Sequence, residues 1–104
     1  MVFIETPQFT SDLVELLSDE EYNKLQILLI ERPDAGVVIP GTGGVRKIRI
    51  GLQGRGKRGG ARVIYYWQVS QHHIYMFLIY AKNIQADMTT AQKAAFRSVV
   101  KELD

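Results

Sequence analysis

The spacing of apolar residues changes rhythm along this chain, and each change predicts an element. Val2–Glu5 alternates and predicts a short strand. Pro7 to Leu17 suits a short helix, with the proline in its first turn. Ser18-Asp19-Glu20-Glu21 has the pattern of a capping box. It opens a helix to about Arg32 that keeps Tyr22, Leu25, Leu28 and Leu29 on one face, and Glu31-Arg32-Pro33 stops it. Val37–Ile39 reads as a brief extended piece and Gly41-Thr42-Gly43-Gly44 as a turn.

From there the period is two. Val45–Ile50, Arg62–Val69 and Ile74–Lys82 read as strands, with a loop over 51–61 and a hairpin turn over 70–73. Thr89-Thr90-Ala91-Gln92 caps a last helix, with Ala95, Phe96, Val99, Val100 and Leu103 at helical spacing. The order predicts one α+β domain over residues 1–104. Two N-terminal helices and a C-terminal helix would pack on one face of an antiparallel sheet.

Charge sharpens this picture because it is segregated. Residues 1–34 carry eight acids against two bases, whereas residues 35–86 carry eight bases and no acid. Random placement would intersperse the signs, so the middle of the chain is expected to face a polyanion. The densest part is VRKIRIGLQGRGKRGGARVIYYW, residues 45–67, where two strands flank a glycine-rich basic loop. The chain has no cysteine, which removes disulfides, iron–sulfur clusters and thiol catalysis and fits a reducing compartment. The first residues, MVFIETPQF, have no basic leader, and the longest apolar run, Ile74–Ala81, is too short to span a bilayer. A cytoplasmic location without membrane contact is expected.

Two nucleotide-binding strings occur in the loop and both fail on context. Gly54-x-Gly56-x-x-Gly59 matches a dinucleotide fingerprint, and Gly51 through Lys57 matches most of a Walker A loop. Each needs a helix N-terminus after the glycines to meet phosphate, but Arg62-Val63-Ile64-Tyr65-Tyr66-Trp67 is a strand. Arg58 also stands where the Walker pattern wants Ser or Thr.

The strands supply the more informative geometry. Alternation puts Lys47 and Arg49 on one face of their strand and Ile48 and Ile50 on the other. A tight turn at Gln71–His72 would bring Arg62 near Lys82. If Arg49 also faces Arg62, then Lys47, Arg49, Arg62 and Lys82 form one patch, although a slip of one residue would break it. His72 and His73, at the hairpin tip, lie roughly 20 Å along the strand from Arg62. No group of residues has metal-ligand spacing. Any chemistry at the patch is therefore expected to need no metal, cofactor or histidine. RNA permits this, because its 2′-hydroxyl is an internal nucleophile. The protein must orient that hydroxyl, help remove its proton and stabilise charge on the phosphorane and leaving oxygen. Crowded cations do the stabilising, and a lysine among them gives up its proton more readily.

GTGGVRKIRI, GRGKRGGARVIYY and IYAKN, followed by Asp87 and a final helix, together resemble the RelE/HigB toxins of bacterial type II toxin–antitoxin modules. The likeness is strongest to the HigB-like branch and spans essentially the whole chain. It implies the RelE/ParE-like fold and a metal-independent endoribonuclease that cleaves mRNA in the ribosomal A site. It also implies inhibition by a cognate, HigA-like helix-turn-helix antitoxin, through which alone operator DNA would be met. By the same resemblance Lys47 and Arg49 are base and phosphate clamp, and Arg62 braces the scissile phosphate. Lys82 serves the leaving oxygen, and Arg46, Arg55, Lys57 and Arg58 grip the RNA backbone. The tyrosine that some relatives carry near the last helix is replaced here by Asp87-Met88-Thr89. Tyr80 and Tyr66 are open to base stacking or to core packing. The rival reading is a ParE-like toxin that inhibits DNA gyrase by protein contact and needs no such grouping of cations.

Overall fold

The computed structural model describes residues 1–51, 60–82 and 88–104. The elements run β1 (Val2–Glu5), α1 (Pro7–Leu16), α2 (Asp19–Glu31), β2 (Val37–Val38), β3 (Arg46–Gly51), β4 (Gly60–Gln68), β5 (His73–Ala81) and α3 (Thr90–Leu103). Local chemistry explains the helix starts. Thr6 caps α1 by accepting from the Phe9 amide, with Pro7 in the first turn, and its hydroxyl also donates to the Phe77 carbonyl at 2.8 Å. Ser18 with Glu21, and Thr89 with Gln92, form complete capping boxes at α2 and α3.

The five strands form one sheet in the order β1-β5-β4-β3-β2. It is mixed rather than purely antiparallel, because β1 returns alongside β5 in parallel. The helices also divide between the two faces instead of sharing one. Phe9, Leu13, Leu25 and Leu29 of α1 and α2 bury against Ala61, Val63, Tyr65, Ile74, Met76 and Ile79. On the opposite face, Val100 and Phe96 of α3 pack with Val45, Ile64, Tyr66 and Phe77. Both faces of β4 are thus covered, which is why GARVIYYWQ reads as nearly continuous apolar sequence.

One irregularity organises the central hairpin. Residues 69–72 form the turn, closed by the His72 amide on the Val69 carbonyl, and His72 takes φ 56°. Gln68 therefore pairs with His73 and Tyr65 with Met76, but Ile64 pairs with Leu78. Phe77 is the extra residue of a β-bulge. It inverts the alternation, so that Ile74 and Met76 before it share a face with Ile79 and Ala81 after it.

The turn between β2 and β3 is built from Gly41-Thr42-Gly43-Gly44. Its three glycines all have positive φ, a region closed to most side chains. Thr42 is fully buried; its hydroxyl donates to the Ile39 carbonyl at 2.6 Å and accepts from the Val45 amide at 3.1 Å.

Candidate functional site: a cationic groove on the α3 face

Alternation along β3 sends Arg46, Ile48 and Ile50 toward α1 and α2 and sends Val45, Lys47 and Arg49 toward α3. The pairing places Arg49 directly opposite Arg62, and Lys47 opposite Ile64. Arg62 in turn pairs with Tyr80, not with Lys82. The difference from the expected pairing arises because the turn is centred one residue earlier than Gln71–His72, and the bulge restores only part of the shift. Lys82 lies opposite Gly60, its amide bonded to that carbonyl at 2.9 Å. The two-residue displacement preserves parity, so Lys82 still shares the face of Arg62 and Tyr80.

The resulting surface has two adjoining hollows. A cleft of about 410 Å³ is walled by Val37, Val38, Ile39, Pro40 and Met88, with Lys47, Tyr80 and Lys93 completing it. A smaller one of about 190 Å³ lies between Arg49, Gly51, Gly60, Arg62 and Lys82. Among the described residues neither lining contains a carboxylate.

Arg62 is only 7% exposed, while Arg49 and Lys82 reach solvent and Lys47 is half-buried. Burying a guanidinium costs several kcal/mol before any partner is counted, and like charges opposed across strands repel. A fold selected for stability alone gains nothing from Arg49 opposite Arg62. The Tyr80 hydroxyl is also buried without a hydrogen-bond partner among the described residues. Such a group costs about 1–3 kcal/mol in a protein interior.

Arg46 belongs elsewhere. It lies on the α1/α2 face, where its guanidinium donates to the carbonyls of Gly36 at 2.8 Å and Asp34 at 3.2 Å. It ties down the segment leaving α2 and stands apart from the groove. Arg55, Lys57 and Arg58 fall outside the described residues, as does Asp87. His72 is exposed in the turn and His73 lies against the Tyr75 ring, both at the far end of the hairpin from Arg62. Among the described residues no group of three or more His, Cys, Asp or Glu could hold a metal ion, and no helix is long and apolar enough to cross a membrane.

Lys93 was not expected in the site. The signal was present: it continues the seam of Phe96, Val100 and Leu103 one turn toward the start of α3, where that seam meets the open end of the sheet.

The remaining side chains hold α3 in place. Tyr66 donates to the Asp104 carboxylate at 2.5 Å, and the Gln68 amide donates to the Leu103 carbonyl at 2.6 Å. Burial first, and then the neighbouring Asp104, push the Tyr66 phenol up to about 12. The Phe77 and Phe96 rings meet at 5.1 Å between centroids. On the other face burial raises the Tyr65 phenol above its ordinary value. Its hydroxyl accepts from the Gly36 amide and donates to the Pro33 carbonyl, both at 2.8 Å. A Cβ on Gly36 would stand 2.8 Å from that ring and 3.0 Å from the Lys47 carbonyl, so glycine alone fits there.

Comparison with known proteins agrees with this architecture. A solved structure of an E. coli RelE toxin, a double arginine-to-alanine mutant in the free state, superposes with a TM-score of 0.58. It is 13% identical and covers 96% of this chain and 95% of its own, a likeness of fold. The family model described as the RelE toxin of the RelE/RelB toxin–antitoxin system matches residues 30–104, the segment holding every groove residue. The chain therefore belongs to the RelE toxin family.

Proposed function

We propose that this protein is the toxin of a type II toxin–antitoxin pair and acts as a ribosome-dependent mRNA endoribonuclease. The observation that carries the reading is the pairing of Arg49 with buried Arg62. It gathers Lys47, Arg49, Arg62 and Lys82 on one face, in two hollows whose described linings hold no carboxylate. Four cations held on, or just beyond, three adjacent strands suit a phosphate whose charge rises in the transition state.

In the proposed reaction the RNA 2′-hydroxyl attacks the adjacent phosphorus. The P–O2′ bond forms, the P–O5′ bond breaks, and the products are a 2′,3′-cyclic phosphate and a 5′-hydroxyl. Arg49 and Arg62 hold the scissile phosphate, Arg62 from the sheet floor and Arg49 from the rim. Lys47 takes the 2′-proton, and Lys82 supplies charge or a proton to the departing 5′-oxygen. Tyr80 lies between these roles: it pairs with Arg62 and shares the larger cleft with Lys47. Its buried hydroxyl offers a base or ribose a hydrogen bond, and the apolar walls around it suit a base.

The family places an antitoxin beside the toxin, and the HigB-like sequence motifs favour a helix-turn-helix, HigA-like partner in the cytoplasm. The test is cleavage of a defined message in a translation extract, with and without ribosomes. Cleavage on programmed ribosomes by the native chain, and none by Arg62→Ala, is the expected result. Toxicity that persists when Lys47, Arg62 and Lys82 are all neutralised would overturn the nuclease reading and point to inhibition by protein contact.

A further inference from the structure

The groove does not exhaust the cations on this side of the molecule. Lys93, Arg97 and Lys101 recur at four-residue spacing along α3. They form one row about 12 Å long beside the buried seam of Phe96, Val100 and Leu103. The row starts in the larger cleft, where Lys93 faces the same space as Lys47 and Tyr80. It passes the β2–β3 turn, where the Arg97 Cγ lies 3.9 Å from the position a Cβ on Gly43 would take. It then reaches a shallow hollow of about 260 Å³ bounded by Ala94, Arg97, Ser98 and Lys101. Small residues at 94 and 98 leave the two outer cations standing proud. Arg97 and Lys101 are exposed, and none of the three is in a salt bridge among the described residues.

A plain helix surface mixes signs at this spacing, as Glu20 and Lys24 do on α2 with an N–O distance of 3.6 Å. Here the described part of α3 has no carboxylate before Glu102. The helix is also held rigidly, by Tyr66 on Asp104, Gln68 on the Leu103 carbonyl and Phe96 against Phe77, so the row has a fixed position relative to the groove.

We infer that the Lys93–Arg97–Lys101 row is a second binding track, which takes the phosphate backbone of the RNA strand as it leaves the cleft. The inference rests on the proposed nuclease reading and adds an exit path for the substrate. The row lengthens the footprint on single-stranded RNA without reading sequence, since phosphates carry none. Arg97 and Lys101 serve affinity rather than chemistry.

The test uses the full chain and Arg97→Gln/Lys101→Gln, with two synthetic RNA single strands carrying a 2′-deoxy substitution against cleavage. One strand is about five nucleotides long, enough for the groove, and one about fifteen. Binding is followed by fluorescence anisotropy from 50 to 200 mM salt. The native chain should prefer the longer strand, and the double variant should lose that preference. Two lost phosphate contacts lower the slope of log K against log salt by about 1.4. The gap between the two proteins on the longer strand should therefore narrow about sevenfold across this salt range. Binding of the short strand should be unchanged. Arg97→Lys/Lys101→Arg, which keeps the charge, should behave as native, and thermal unfolding should match for all three.

Equal slopes on the longer strand would overturn the inference. So would a defect that appears only with ribosomes, which would assign the row to ribosomal RNA. If the native chain binds neither free strand, the exit track fails. The nuclease reading falls with it only if programmed ribosomes also go uncut.

Discussion

The two faces of the sheet use the same strands for opposite ends. The face toward α1 and α2 holds a continuous apolar core: Ala61, Val63 and Tyr65 of β4 meet Phe9, Leu13 and Leu29, and Tyr65 completes its hydrogen bonds on Pro33 and Gly36. The face toward α3 is apolar only where the helix covers it, around Ile64, Tyr66, Phe77 and Val100. Beyond the start of α3 it opens into a groove that keeps a buried arginine and a buried tyrosine hydroxyl with no partner among the described residues. Two groups costly to bury, a guanidinium and a phenol hydroxyl, thus meet at the open end of the α3 face. Proteins tolerate such groups where function needs them.

Substitutions should separate the two faces. The largest effect is expected from Arg62→Ala. It removes a charge from the centre of the proposed site and should lower cleavage on programmed ribosomes by about 10²–10³. The chain should still fold, because both hydrophobic clusters are built without Arg62. Growth arrest on induction, read beside circular dichroism, checks both halves. A variant that is unfolded, or one that is fully toxic, would break the contrast.

On the α1/α2 face Gly36→Ala should cost about 2–3 kcal/mol, since the new methyl displaces the Tyr65 ring from a pair of buried hydrogen bonds. Chemical denaturation reports the loss as a lower midpoint. Tyr66→Phe should cost about 1.5 kcal/mol, by removing a hydrogen bond to the Asp104 carboxylate.

The same bond predicts a response to alkali. The folded phenol titrates near 12, above its ordinary value of 10.0. Its contribution to stability is therefore complete below pH 10 and is lost as pH rises through about 12. Tyr66→Phe should flatten the stability profile over that window, and absorbance titration of the tyrosines should lose a late component near pH 12.

The smallest effect on folding is the most discriminating. Tyr80→Phe deletes a buried hydroxyl that has no partner among the described residues, so stability should stay level or rise by up to about 1 kcal/mol. Cleavage should fall. A matching drop in stability would assign Tyr80 to the core.

Much of this was legible in the sequence, and the limits are physical. The caps at Ser18 and Thr89 and the strands around Lys47 and Arg62 follow from local rules that depend on a few adjacent residues. The facing of Arg49 and Arg62 was readable as a condition, because parity is local while register is not. Lys82 does share a hollow with Arg62, but the exact partner of Arg62, Tyr80, was out of reach, since neither the centre of the turn nor the bulge at Phe77 is encoded by alternation. Placing all three helices on one face failed for a related reason. The apolar run in β4 marks burial on two faces but does not say what covers each. Arg46 looked like one more cation of the basic run. Only its strand position shows it bound to the carbonyls of Asp34 and Gly36. The buried role of Thr42 in its glycine turn had no sequence signal beyond the turn itself.

The bulge at Phe77 has one more effect. A uniformly alternating hairpin can pair one step out of place and still present an apolar side to its neighbours, at the cost of facing the wrong way. Here the two halves of β5 alternate in opposite phase. Any slip that suits the half near His73 turns Lys82 into the oily layer and Ile79 toward water. Only one alignment satisfies both halves, so the bulge fixes the register of the hairpin together with the turn.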